Sequence, residues 1–142
     1  MNISAKTEYA CIAVLELSAR YDQGRPVRIR DIAEANGIPS RFLVQILLQL
    51  KSAGIVGSTR GAAGGYQLVK PPSEITLAEV MAVSDAQSPD PVTSVARQSA
   101  ASRTLMDTWQ DVASVEREML TAVTFKDLAE RTAAQLENMY YI

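Results

Sequence analysis

Three features of this 142-residue sequence predict one fold class: mainly α with a small β-hairpin wing, a winged helix-turn-helix plus a long C-terminal dimerisation helix. The first is the stretch Leu43–Leu68. It reads as an apolar-striped helix, a glycine stop, and two short strands joined by a glycine-rich turn with Arg60 at its entrance. The second is the Asn36-Gly37 pair ahead of it, which closes one helix just before Ile38-Pro39-Ser40 opens the next, the spacing of a helix-turn-helix corner. The third is an apolar seam in the last third, stepping by four and three residues.

The first helix is expected from about Ser4 to Tyr21, because Tyr9, Ile12, Ala13 and Leu17 recur at helical spacing and Gln23-Gly24 breaks the pattern. Val27 and Arg28 read as a short extended piece, and Arg30–Asn36 as the second helix. In the third helix Pro39 presets φ, and Ser40 is expected to accept a bond from a free amide. Leu43, Ile46, Leu47 and Leu50 form its buried stripe, which turns Arg41, Val44, Gln45, Leu48 and Lys51 toward other faces; Gly54 ends it.

Ile55–Thr59 and Tyr66–Val69 are the wing strands, and Pro71-Pro72 starts a rigid connector. Thr76 with Glu79 spells a capping box ahead of Leu77, Val80, Met81 and Val83. Residues 85–102, rich in Ser, Pro, Asp and Gln, read as a loop. Leu105, Trp109, Val112, Met119 and Val123 then line the seam, with Val115 or Glu116 between, and Thr124 with Asp127 starts a last helix reaching Asn138. The organisation is therefore a DNA-binding domain over 1–84, a loop over 85–102 and a helical dimerisation region over 103–142.

Composition narrows the function classes. No apolar run approaches the length of a membrane span, and the N-terminus lacks a signal-peptide layout. A single cysteine, Cys11, precludes an intramolecular disulfide and fits a cytoplasmic protein. Histidine is absent, which removes the commonest general base and transition-metal ligand, and no nucleophile–base pair can be assembled. The expectation is therefore no enzyme, no catalytic residues and no metal. The net charge of −2 hides an asymmetry: residues 1–70 carry nine basic and five acidic groups, residues 71–142 five and eleven. A basic front half suits a face presented to phosphate.

The segment Ser58-Thr59-Arg60-Gly61-Ala62-Ala63-Gly64-Gly65-Tyr66 lacks the Gly-Lys-Ser/Thr ending of a nucleotide-binding loop and opens no helix. Its glycines suit a sharp hairpin whose backbone approaches another chain closely, with Arg60 placed for a minor groove or a phosphate. Arg41 and Gln45 have the chemistry for base edges, and Lys6, Lys51 and Arg60 for phosphates.

These residues carry a resemblance to a known family. Ser4-Ala5-Lys6-Thr7-Glu8-Tyr9-Ala10, Asp31-Ile32-Ala33, Gly37-Ile38-Pro39-Ser40, Gln45-Ile46-Leu47, Leu50-Lys51-Ser52-Ala53-Gly54-Ile55-Val56 and Ser58-Thr59-Arg60-Gly61 with Gly64-Gly65-Tyr66 occur in the order of the IscR-type (Rrf-two) bacterial winged-helix regulators. The chain resembles that family over essentially its full length, most tightly over the first 84 residues.

The resemblance implies a homodimer on operator DNA, joined through the long C-terminal helix. It puts Ser40, Arg41 and Gln45 on the recognition helix, Arg60 with Gly61 to Gly65 in the wing, and Ser4 and Lys6 on phosphates. A glutamate that discriminates operator types in cluster-binding relatives aligns near Val44. Those relatives hold an iron–sulfur cluster on three cysteines before and at the start of the dimer helix. Here that region reads DPVTSVARQSAASRTLMDTW, with Arg97 and Arg103 and no cysteine.

The expectation is thus a cytoplasmic, homodimeric regulator of double-stranded DNA, a repressor on an inverted repeat, without a canonical cluster or other cofactor. Its effector would be a small molecule or a protein acting at the loop and dimer helix. Two rivals stand beside it: a winged-helix protein-interaction module that no longer binds DNA, and a redox or cluster sensor built on Cys11 and Glu8.

Overall fold

The computed structural model describes residues 1–84 and 90–140. Six α-helices and one two-stranded antiparallel hairpin follow in the order α1 (Ala5–Ala19), α2 (Ile29–Asn36), α3 (Ser40–Ser52), β1 (Val56–Thr59), β2 (Gly65–Leu68), α4 (Leu77–Ser84), α5 (Ala100–Ala122) and α6 (Phe125–Tyr140).

Helix α1 is the hub, packing against α2, α3, α4, α6 and β2. Its alanines let neighbours approach: Ala10, Ala13 and Val14 are fully buried beside Leu17. Ser4 caps it, accepting from Thr7 N–H at 3.1 Å. The helix ends at Ala19, two residues before the expected Tyr21. Tyr21–Gln23 tighten into a 3-10 turn that Gly24 closes. The buried hydroxyls of Thr7 and Ser84 meet at 3.0 Å, so the end of α4 is fastened to the start of α1 by a satisfied polar pair.

The stripe of α3 is as expected, with Leu43, Ile46, Leu47 and Leu50 buried. Its start differs. Pro39, in extended conformation, occupies the cap position, and its carbonyl accepts from Phe42 N–H at 3.1 Å. Ser40 is therefore the first helical residue rather than the cap, and it is exposed there. Beyond the other end, Gly54 (φ 79°) donates to Lys51 O and Ile55 to Leu50 O, both at 3.0 Å. That pair of bonds is a Schellman closure, and it delivers Ile55 into the core and Val56 into β1.

The hairpin pairs Val56 with Leu68, Gly57 with Gln67, Ser58 with Tyr66 and Thr59 with Gly65. The extended piece expected at Val27 adds an antiparallel bridge to β2: Val27 N–H donates to Tyr66 O at 2.7 Å, and Tyr66 N–H returns to Val27 O at 2.8 Å. Pro72–Glu74 form one 3-10 turn within the connector. Thr76 accepts from Glu79 N–H at 3.2 Å, but the Glu79 carboxylate turns to Lys70 Nζ at 2.5 Å, so only one half of that capping box forms.

Residues 90–99 are irregular, while the part of the expected loop at 85–89 lies outside the described residues. The loop ends at Ser99, not at 102. Ser99 and Ser102 exchange bonds at 2.9 and 3.1 Å in a complete capping box, which starts α5 at Ala100. Thr124 and Asp127 make the second complete box, and α6 runs to Tyr140, two residues past the expected Asn138. Leu77 N–H to Val123 O and Phe125 N–H to Ile75 O, both 2.9 Å, bring α6 back to α4. Phe125, fully buried, then enters the N-terminal core.

Candidate nucleic-acid interface

Helix α3 presents its exposed face because the four leucine and isoleucine residues of the stripe fix its rotation about its own axis. Arg41 and Gln45, one turn apart, therefore share a solvent-facing side with Ser40 and Val44. The Arg41 guanidinium carbon lies 5.0 Å from the Phe42 ring centroid, and that ring is 6.2 Å from Tyr9 of α1. This stacking places the Arg41 side chain on an aromatic support. Sequence reasoning missed Phe42; the signal was an aromatic residue at a non-stripe position next to the arginine.

The wing stands beside this helix and is braced to it. Lys51 Nζ, near the end of α3, donates to Ser58 Oγ on β1 at 2.7 Å. Arg28 donates from its guanidinium to the carbonyl of Ala62 at the wing tip. Arg28 was not singled out from the sequence. Its signal was a basic residue in the extended piece whose neighbour Val27 pairs with β2.

Ser58, Thr59, Arg60 and Gly61 are exposed, Gly64 is buried, and Gly65 and Tyr66 are half-buried. Tyr66 packs against the core, and its backbone is spent on Val27. The last two glycines are demanded by close approach. A Cβ on Gly64 would sit 2.2 Å from Thr59 O, and one on Gly65 would sit 2.5 Å from Val27 O.

Lys6 is exposed on the first turn of α1, two residues from the Ser4 cap. The exposed cations Lys6, Arg28, Arg30, Arg41, Lys51 and Arg60 give the winged-helix part its basic character. The site is therefore a shape and a charge: a polar helix face flanked by a braced basic hairpin.

The seam residues lie far from this face in character. Leu105, Trp109, Val112, Val115 and Met119 are each between 50 % and 69 % exposed, and Val123 is half-buried. No residue of α5 is buried, so the chain's own core leaves the seam uncovered. Among the described residues no helix is long and apolar enough to cross a membrane.

Residues 3–131 match the Rrf2 family model, described as an iron-dependent transcriptional regulator. The HTH-type transcriptional regulator CymR of Bacillus subtilis is 33 % identical over 143 residues, spanning 100 % of each chain. A solved structure of CymR, described as the global cysteine regulator of B. subtilis, superposes with a TM-score of 0.80 at 30 % identity, covering 92 % of this chain and 98 % of that one. The solved IscR of T. potens gives a TM-score of 0.75 at 26 % identity, covering 93 % and 88 %.

The iron in the family description finds no matching donor set among the described residues. Among the described residues no three His, Cys, Asp or Glu side chains group to hold a metal. Around the start of α5 the charged side chains Arg97 and Arg103 are cations. Cys11, partly buried in α1, has its thiol pushed up to about 11 by desolvation, which opposes the thiolate that iron–sulfur ligation needs.

Proposed function

This chain belongs to the Rrf2 family of transcriptional regulators, and on that premise we propose that it is a cytoplasmic homodimeric repressor of an inverted-repeat operator. Each protomer inserts α3 into a major groove and lays its wing over the adjacent minor groove. The carrying observation is the shared exposed face of Arg41 and Gln45 beside a hairpin braced by Lys51–Ser58.

Arg41 suits the two acceptors of guanine and Gln45 the donor–acceptor edge of adenine, while Val44 between them suits a thymine methyl. Ser4, Lys6, Ser40, Ser58, Thr59 and Arg60 contact phosphates or the minor groove, with Gly61, Gly64, Gly65 and Tyr66 giving the wing its close-fitting backbone. The first 84 residues are the DNA-reading unit. Helix α5, about 35 Å long by its 23 residues, joins the dimer through Leu105, Trp109, Val112, Met119 and Val123. Repression follows from occupancy of a promoter by the seated dimer. No iron–sulfur step enters. A groove of about 300 Å3 between residues 91–98 and α5, walled by Ser102, Arg103 and Met106, is a place for a small-molecule effector.

Binding of duplex DNA measured across salt concentrations tests the reading. Affinity should fall steeply as salt rises, because cations on the protein release counterions from phosphate. A flat response overturns it. One observation favours a second reading: Phe42, Val44 and Leu48 leave 42 % to 51 % of their surface exposed on α3, as a protein-docking face would. A folded protein that shows no salt-dependent DNA binding would establish that alternative.

A further inference from the structure

At the opposite end of α1 from Ser4 and Lys6, about 22 Å away along 15 residues, the helix terminus, the Gly24–Val27 loop and β2 enclose a cavity of about 260 Å3. Its floor is apolar: Leu17, Val27 and Leu68 are all buried core residues. Its polar lining residues are Arg20, Tyr21, Arg25 and Gln67, of which the two charged ones are cations.

Arg20 Nη1 is buried and has no hydrogen-bond partner. The Glu16 carboxylate, 3.4 Å away, balances its charge, and the Arg20 side chain as a whole keeps 35 % of its surface exposed. Two arginines offer the forked donors that carboxylates accept, and the apolar floor asks for a short hydrocarbon body.

We propose that this cavity is a binding site for a compact organic carboxylate, held by Arg20 and Arg25 over Leu17, Val27 and Leu68. The volume exceeds what a bare inorganic oxyanion fills, yet lies just below the range of about 300–1,000 Å3 that holds drug-sized ligands. Gln67 and Leu68 belong to β2, and Val27 pairs with Tyr66 of the same strand, so an occupant touches the base of the wing. Binding in itself needs no DNA; any effect on DNA rests on the function proposed above.

The test is amide NMR of the full chain titrated with 4-methylpentanoate, with inorganic phosphate and uncharged 4-methylpentan-1-ol as controls. The expected result is saturable shifts at Leu17–Val27 and Tyr66–Leu68 with the carboxylate, and at least tenfold weaker responses to both controls. Arg25→Gln, a change at an exposed side chain, and Arg20→Gln should each weaken binding about tenfold, while Arg131→Gln at an exposed position of α6 should leave it unchanged. Equal response to phosphate would reduce the site to a nonspecific anion contact and overturn the proposal. So would shifts that do not saturate, or loss through Arg131→Gln alone. Binding that persists without any change in DNA affinity upholds the site and separates it from the regulatory reading.

Discussion

Lys51 Nζ donates to Ser58 Oγ at 2.7 Å, joining the last turn of α3 to β1. The two residues are seven apart in sequence and flank the Gly54 closure, so this hydrogen bond adds a side-chain brace to the backbone closure between helix and hairpin. On the function proposed above, Lys51, expected from the sequence as a phosphate contact, has a second task in steadying the wing that carries Arg60. Lys51→Ala should weaken DNA binding about tenfold. Stability should move by less than about 0.5 kcal/mol, because the bond lies at the surface. A fluorescence-anisotropy titration beside a urea melt checks both.

The close approach at Gly64 makes a second expectation. Gly64→Ala forces a Cβ into the Thr59 carbonyl 2.2 Å away, so the hairpin must distort at a cost of about 1–3 kcal/mol. Hydrogen exchange at residues 56–68 should accelerate while that in α1 and α3 stays slow, and DNA affinity should drop.

Phe125 starts α6, yet it is fully buried in the core of the N-terminal unit. Phe125→Ala should cost about 3–5 kcal/mol. In a denaturant melt followed both by far-ultraviolet circular dichroism and by Trp109 fluorescence, the transition should move to lower denaturant in both signals. Two separated transitions would show instead that α5–α6 folds apart from the front unit.

The Cys11 thiol, raised to about 11 by burial, should alkylate slowly. Against an ordinary value near 9.0 its thiolate population at neutral pH is about 100-fold lower. Because the folded value is the higher one, the associated stability is complete below pH 9 and is lost as pH rises toward about 11. Iodoacetamide labelling at pH 7.5 should lag far behind free cysteine. Rapid labelling of folded protein would restore the redox rival.

The exposed seam predicts association. Trp109→Ala together with Val112→Asp should convert a dimer to monomer in sedimentation velocity without unfolding it, since both side chains are more than half exposed within the chain.

Much of this was legible before the structure because periodicity and punctuation agreed. The α3 stripe, the Gly54 stop, the wing strands and the Thr124–Asp127 cap all rest on neighbours within a few residues. The differences are long-range or compete with an adjacent signal. Pro39 took the cap from Ser40 because its own backbone was already extended. The Ser99–Ser102 box started α5 early because a capping pair inside a polar stretch looks like loop. Glu79 chose Lys70, nine residues away, over its own helix end. Arg28 reaching Ala62, the Arg41–Phe42–Tyr9 stack and the return of Phe125 to the core depend on tertiary contacts that no local pattern encodes.

Selection from a random duplex pool shows whether α3 and the wing read DNA as a symmetric pair. The expected product is an enriched inverted repeat whose half-sites are separated by one helical turn or a multiple of it, with Gln45→Ala relaxing one base pair in each half and Arg60→Ala weakening all sequences alike. Folded protein that enriches no sequence, or enriches one unchanged by either substitution, would contradict that reading.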